Sequence, residues 1–263
     1  MTVGSQFNSF DFIKYQLKYF HEFNEDFEFI IHDNENTNET LETQEIKTKY
    51  PSTKLLHPTW QGTGGGAHGI GLNECLKRAN GKYFLAIDPD FFFMKKNILS
   101  FLESYFECGY HAVGTEYLGT SFPMPWGAAY ITEEIRDLNL MAKTSICEGC
   151  KTWIYDRDYD TGWQLRIRLG NKPHHAFKQV LNQVPDLGKY NTGYTQTYVH
   201  DERVIAHHLK GGSQIETEHT KEQVQEIKIN IQNGCGANYM INPYIMLSTY
   251  NPRLWICSFL IPS

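Results

Sequence analysis

The sequence predicts an α/β fold with a mostly parallel central sheet flanked by helices, and three observations support this prediction. Apolar strand patterns alternate with helical patterns through the first half of the chain, which is typical of a parallel sheet covered by helices. Aspartates stand where two of the predicted strands end. The 263 residues, of which 41% are apolar and 14% aromatic, are enough to build one large domain or two small ones.

Each element of the first half has its own local pattern. A very short strand is the most that residues 2–4 allow. A helix over about residues 8–23 is predicted because apolar residues recur there at three- and four-residue steps. The stripe consists of Phe10, Ile13, Leu17 and Phe20. The later elements, in order, are a strand at 27–34, a polar helix over 38–50, a short strand at 53–58, a helix ending near 79, a strand at 82–88, a helix over 94–109 and a strand at 110–117.

Proline and glycine mark the ends of these helices. Pro51 ends the polar helix, Asn80-Gly81 stops the helix that follows the glycine-rich run, and Gly109 stops the helix after that. From about Ser121 the alternation is weaker, and His, Gly and Trp are more frequent. We therefore expect the second half to extend the same domain, with the whole chain, residues 1–263, forming a single unit.

Charge and composition exclude several classes of function. The net charge of −6 provides no general field for attracting nucleic acid or anionic lipid. The first residues, MTVGSQFNSF, lack the basic and apolar regions of a signal peptide, and no apolar run is long enough for a transmembrane segment. Six scattered cysteines do not suggest a disulfide scaffold. These features predict a soluble protein of the cytoplasm.

The stretch KYFLAIDPDFFF, residues 82–93, carries an apolar strand directly into two carboxylates. In an extended chain, residues two apart point to the same side, so Asp88 and Asp90 face one ligand together, with Pro89 stiffening the pair. Hard oxygen ligands of this kind suit Mg²⁺ or Mn²⁺. The pair alone fits a solvated turn equally well, because Asp and Pro are common in turns.

The surrounding residues resemble the nucleotide-sugar half of GT-A glycosyltransferases, particularly the family 2-like group. The run GGGAHGIGLNECLKRANGKYFLAIDPDFFF, residues 64–93, carries three elements of that family: residues 67–70 at the start of a helix, residues 79–83 before the strand, and the D-x-D at residues 88–90. The earlier FIIHDN, the later DTGWQL and the late HHLKGGS follow in the family's order. The resemblance spans roughly residues 27–213 and implies a GT-A, Rossmann-like fold.

The resemblance also implies roles for individual residues. About residues 1–120 would bind the nucleotide sugar, and about residues 121–263 would form the acceptor-side half and the tail. The donor would be a nucleotide-diphosphate sugar, most simply a UDP-sugar, and the acceptor a hydroxyl, as in a glycan. The implied site consists of Asp33 at the nucleoside, His68 near the diphosphate, Asp88 at the ribose or the metal, Asp90 and His208 at Mn²⁺ or Mg²⁺, and Asp160 as the general base of an inverting reaction.

Trp126 and Gly127 are further candidates for the sugar or acceptor pocket. An aromatic face packs well against the C–H surface of a sugar, and glycine permits close approach. A place for Trp126 in the core explains the residue equally well.

Three other functions remain open at this point. Gly64, Gly66 and Gly69 fit G-x-G-x-x-G with Asp88 about twenty residues on, as in dinucleotide-dependent oxidoreductases. A metal-dependent nucleotidyltransferase would use the same two aspartates. A carbohydrate-binding protein could keep the fold without turnover. Outside these, Cys147 and Cys150 form a C-x-x-C that we interpret as two loop thiols, because a zinc site needs two more ligands. The apolar tail, residues 242–263, is expected to pack on the body of the protein.

Overall fold

A computed structural model describes the greater part of the chain. The described residues are 2–3, 9–34, 36–58, 65–89, 91–116, 121–141, 144–146, 153–155, 161–183, 194–209 and 257–261. Of the predicted features, Asp90, Asp160 and the cysteines at 147 and 150 lie outside these ranges.

The described residues form strands and helices that alternate through the first half of the chain. The strands are β1 (Thr2–Val3), β2 (Glu28–Asp33), β3 (Lys54–Leu56), β4 (Tyr83–Ile87), β5 (Phe91–Phe93), β6 (Ala112–Glu116), β7 (Pro123–Ile131), β8 (Thr144–Ile146), β9 (Trp153–Tyr155), β10 (His174–Gln183), β11 (Tyr194–His200), β12 (Arg203–Leu209) and β13 (Cys257–Ile261). The helices are α1 (Ser9–Phe23), α2 (Leu41–Lys49), α3 (Gly65–Arg78), α4 (Ile98–Glu107), α5 (Thr132–Ile135) and α6 (Trp163–Leu169).

One large mixed sheet organises the molecule. Its strands follow the order β1-β2-β13-β4-β7-β6-β10-β11-β12-β5, with β3 also paired to β2, and β8 and β9 form a separate hairpin. The pairings set β1, β2, β3, β4, β6 and β10 in one direction, with β7 and β13 inserted in the other. The predicted α/β fold is confirmed. These six strands run in the same direction, as expected for a mostly parallel sheet. Many of the hydrogen-bonded strand pairs are nevertheless antiparallel, because β7 and β13 are inserted between them.

The apolar stripe of α1 is buried as its spacing predicts. Ile13, Leu17 and Phe20 are almost completely inaccessible to solvent. The Phe20 ring makes edge contacts with the rings of Phe29 on β2 and Phe93 on β5. Helix α1 therefore joins the first strands of the sheet to β5, beside the point where β4 ends.

Two elements differ from the sequence prediction. Helix α3 begins inside the glycine run, at Gly65, instead of after it. Residues 91–93, which had no predicted conformation, form the edge strand β5 and pair antiparallel with β12. The reason is tertiary, since β12 lies more than a hundred residues further along the chain and supplies the backbone partners.

The apolar tail contributes a central strand. Strand β13 pairs antiparallel with both β2 and β4. The expectation that this segment packs on the body is met for residues 257–261. Within the described ranges, no helix has the length and apolar character required to cross a membrane.

Candidate active site

The carboxyl ends of β2 and β4 define one edge of the sheet, and acidic residues stand at both. Because β2 and β4 run in the same direction with β13 between them, Asp33 and Asp88 lie at the same edge, two strand spacings or about 10 Å apart. Both carboxylates are buried. A separation of this size suits a ligand that extends along the edge, such as a nucleoside joined to a diphosphate.

Asp88 begins a tight turn that leads from β4 into β5. Its backbone N–H donates to the carbonyl of Trp126 on β7 (3.0 Å), and its own carbonyl accepts from the N–H of Phe91 (3.0 Å). Asp90 belongs to this turn by sequence but lies outside the described residues. The turn therefore holds the Asp88 backbone between a central strand and an edge strand.

His208 reaches Asp88 from the far end of the chain. Strand β12 pairs with β5 so that His208 lies opposite Phe91. Its Nε2 is 3.4 Å from Oδ2 of Asp88, and both side chains are buried. An acid and a histidine separated by 120 positions in the sequence thus meet in one place. A buried carboxylate is costly unless it is paired, and the imidazole of His208 lies within ion-pair distance of this one.

The donor atoms of Asp88 and His208 also suit a divalent metal ion. A carboxylate oxygen and an imidazole nitrogen from two different strands are ligands that Mn²⁺ accepts in proteins. Among the residues that the structure describes, no group of three His, Cys, Asp or Glu side chains forms a metal site. A complete ligand set would therefore need a further group, and Asp90, two positions after Asp88, is the one that the sequence predicts.

Trp126 and Gly127 belong to β7 and lie beside Asp88. Gly127 is opposite Ile87 in the β4–β7 pairing, and a Cβ added to it would lie 2.4 Å from the ring of Phe91. Trp126 is partly buried against the core, and its side chain lies near enough to Tyr198 to affect the pKa of that phenol. Trp126 thus has a core contact as well as a position next to the site, so the two interpretations of this residue are compatible.

Tyr198 forms the buried support behind this part of the site. Burial raises the pKa of its phenol, and the nearby polar groups of Trp126 and Thr115 offset only part of that rise. The phenol therefore remains neutral at physiological pH.

Asp33 is held by its own loop. Its Oδ1 accepts from the backbone N–H of Asn36 (3.1 Å), and its Oδ2 accepts from the Asn36 side chain (2.8 Å). The preceding His32 has its Nδ1 2.8 Å from Oδ1 of Asn34, and burial lowers the pKa of His32 to about 4. This end of β2 therefore presents a fixed carboxylate beside a neutral imidazole.

His68 lies in the first turn of α3. The crossover from β3 to β4, which run in the same direction, requires α3 to begin at the carboxyl edge of the sheet. His68 is buried, and burial lowers its pKa well below the usual value. It is therefore neutral, and it offers hydrogen bonding at this edge without a positive charge. The helix N-terminus itself supplies the partial positive charge there.

The segment after Asp160 contacts β7 next to Trp126. Gly162 has a φ of 80°, and a Cβ added to it would lie 2.5 Å from the Pro125 ring. Its N–H donates to the carbonyl of Leu140 (2.8 Å). Asp160 is not among the described residues. Gly162, two positions later, lies against Pro125, the neighbour of the Trp126 whose carbonyl binds the Asp88 N–H.

Sequence reasoning missed Gln16, which contacts the turn at Asp88. Gln16 is buried, and its amide nitrogen lies within hydrogen-bond distance of three carbonyl oxygens of that turn. A polar residue inside the apolar stripe of α1, between Ile13 and Leu17, is the sequence feature that could have indicated it.

Comparison with known proteins gives a family for most of this region. The family model described as Glycosyl transferase family 2 matches residues 7–161, more than half of the 263 residues. A search of curated protein sequences found no match. Among solved structures, the chain is similar to the crystal structure of S. aureus TarS 1-349 in complex with UDP, with 18% identity and a TM-score of 0.40. That similarity covers 54% of this chain and 49% of the other, so this chain spans about half the length of the solved structure that it matches.

Proposed function

Because the chain belongs to glycosyl transferase family 2, we propose that it transfers a sugar from a nucleotide-diphosphate sugar to a hydroxyl acceptor, such as a glycan. The observation that carries the proposal is the approach of His208 to Asp88, 3.4 Å apart, at the carboxyl edge of the sheet. In open α/β sheets, ligands bind at this edge. A cytoplasmic location is a prediction from the sequence alone.

The donor would extend along the edge from β2 to β4. Asp33 would accept a hydrogen bond from the nucleoside, and Asp88, two strand spacings away, would face the ribose or the diphosphate region. His68 and the N-terminus of α3 would lie near the diphosphate. Trp126 and Gly127 would border the sugar. The uridine nucleotides are the first to test.

Asp88, His208 and Asp90 would hold Mn²⁺ or Mg²⁺. The carboxylate and imidazole donors fit such an ion, and the neutral imidazole is the form that binds metal. A divalent ion held there would neutralise the charge that develops on the departing diphosphate.

Asp160 would remove the proton from the acceptor hydroxyl in an inverting reaction. The contact of Gly162 with Pro125, next to Trp126, supports an acceptor subsite on this side of the sheet. The donor half would comprise about residues 1–120 and the acceptor half about residues 121–263. His208 belongs to the second half by sequence but contacts Asp88 in the first, so the two halves would share the metal site.

Hydrolysis of a panel of nucleotide sugars, with Mn²⁺ and without acceptor, tests the proposal. We expect release of a nucleoside diphosphate by the unmodified protein. Asp88→Asn and His208→Gln should each weaken Mn²⁺-dependent nucleotide binding by at least about tenfold, because each removes a proposed ligand. Asp137→Asn is the matched control, since Asp137 is an exposed partner of Arg168. Asp160→Asn should retain donor binding and lose transfer to acceptor.

The products distinguish the alternatives. Release of pyrophosphate from a nucleoside triphosphate supplied together with a sugar 1-phosphate, without release of a nucleoside diphosphate from any nucleotide sugar, would indicate a nucleotidyltransferase. Binding without any turnover would indicate a carbohydrate-binding protein. The oxidoreductase alternative is disfavoured by the family match and by α3, since Gly66 and Gly69 lie within the helix and not in a tight turn directly after a strand. Thermal stabilisation by NAD, and not by UDP with Mn²⁺, would contradict the proposal.

A further inference from the structure

Gln16 is a buried polar residue on the apolar face of α1. Only 2% of its surface is exposed. Its Nε2 donates to the carbonyl oxygens of Asp88 (2.9 Å), Pro89 (3.1 Å) and Phe91 (2.6 Å). All three acceptors belong to the turn that follows β4, more than seventy residues away in the sequence.

Three carbonyl oxygens converge on this one nitrogen. Carbonyl dipoles that point at a common position repel one another, so this turn conformation needs a donor at that position. The amide group of Gln16 has two hydrogens, and these are shared among the three oxygens. A buried amide is itself costly unless it is hydrogen-bonded. The Gln16 amide and the carbonyl oxygens of the turn therefore satisfy each other's hydrogen bonding. An aliphatic side chain at position 16 has no donor for these oxygens.

Aromatic contacts between α1 and β5 are less directional. The Phe92 ring makes edge contacts with Phe12 and Tyr15 of α1, at 5.5 Å between ring centroids in each case. Such contacts hold the helix against β5 but do not determine the orientation of individual peptide groups. The polar contact of Gln16, by contrast, binds the backbone of the turn directly.

We propose that Gln16 is a positioning residue for the active site. It fixes the carbonyl groups of residues 88, 89 and 91 so that the Asp88 carboxylate faces Nε2 of His208. The hydrogen bonds of Gln16 to the turn end on backbone oxygens, so it would act on the metal and the donor through Asp88. The inference rests on the proposed function for its catalytic consequence, but the fixed turn is a property of the chain itself.

Two variants of the full chain test the inference. Gln16→Met keeps a similar length and an apolar character but removes the donor. Leu17→Met is the matched control, because Leu17 is buried on the same helix and makes no contact of this kind. Hydrogen–deuterium exchange without any ligand measures the backbone N–H groups of Asp88 and Phe91. We expect the N–H groups of Asp88 and Phe91 to exchange at least about tenfold faster in Gln16→Met. In Leu17→Met, the exchange rates of these two groups, compared with the rate of global unfolding, should not change.

Binding of Mn²⁺ alone, followed by electron paramagnetic resonance, provides the second readout. We expect Gln16→Met to raise the Kd of Mn²⁺ by about 10- to 100-fold, as other supporting residues of metal sites do. Leu17→Met should leave that Kd unchanged. A Gln16→Met protein with the exchange rates of the unmodified chain, or with its Mn²⁺ affinity, would overturn the inference.

The two proposals fail in different ways. If the unmodified chain binds no Mn²⁺ and hydrolyses no nucleotide sugar, the proposed function fails. Exchange at Asp88 and Phe91 then still decides whether Gln16 fixes the turn. If the unmodified chain binds Mn²⁺ and Gln16→Met binds it equally well, only the role of Gln16 fails.

Discussion

Gly127 shows how a single residue without a side chain sets the packing at the site. The ring of Phe91 occupies the space where a Cβ would be, and Phe91 is also the residue opposite His208. Glycine at position 127 therefore lets β7 approach the start of β5 closely. The sequence indicated that close approach was needed near Trp126, but assigned it to a ligand. In the structure, an aromatic side chain of the protein itself makes the close approach.

Gly127→Ala should destabilise the fold by about 1–3 kcal/mol, because the added methyl group overlaps a buried ring. Urea unfolding measures the change. Gly109→Ala is a useful comparison, since Gly109 has a φ of 87° and no atom within 4 Å of a Cβ. Its cost is backbone strain alone, about 1 kcal/mol. A Gly127→Ala cost that persists in full after Phe91→Leu would show that the ring is not the cause.

At the scale of secondary structure, local patterns predicted the first half of the chain well. The stripe of α1, the strand at β4 and the glycine stop after α4 were all visible as short-range patterns. Strand β5 was not, because three phenylalanines in a row carry no alternation, and its partner β12 is distant in sequence. The meeting of Asp88 with His208 depends on that same pairing. Residue types alone could not predict it, and only the resemblance to a family grouped the two residues.

Helix α3 is joined to the segment that follows α5 by a polar contact that the sequence did not indicate. Asn73 donates from Nδ2 to Oδ1 of Asn139 (2.8 Å), and its Oδ1 accepts from the N–H of Leu140 (2.8 Å). The carbonyl of Leu140 accepts in turn from Gly162. The helix that carries His68 is thereby connected to the segment that follows Asp160.

A double-mutant cycle on Asn73 and Asn139 should reveal this connection. Asn73→Ala is expected to cost about 1–2 kcal/mol of unfolding free energy, because the Leu140 N–H loses its acceptor. The costs of Asn73→Ala and Asn139→Ala should not add, and their coupling should be about 0.5–1.5 kcal/mol. Strict additivity of the two costs in urea unfolding would show that the contact contributes nothing in solution.

At the scale of the whole molecule, the centre of the sheet is completed by β13, a strand from late in the sequence. Strand β13 lies between β2 and β4, the two strands whose carboxyl ends carry Asp33 and Asp88. The spacing of these two acids therefore depends on a strand more than 160 residues downstream of β4. Nothing in the local pattern of residues 257–261 distinguishes a central strand from an edge strand, so this arrangement was beyond sequence analysis.

Ser258→Pro should disrupt the whole domain and not only its end. Ser258 pairs with Ile30 on one side and with Ala86 on the other. Proline removes a backbone donor in the interior of a sheet, where it is poorly tolerated. We expect a large fall in Tm, together with loss of nucleotide binding because the edge between Asp33 and Asp88 is no longer held. Ser258→Ala keeps the backbone donor and should retain both properties. A Ser258→Pro protein with the Tm of Ser258→Ala would place residues 257–261 outside the stable sheet, and the spacing of the two acids would then need another cause.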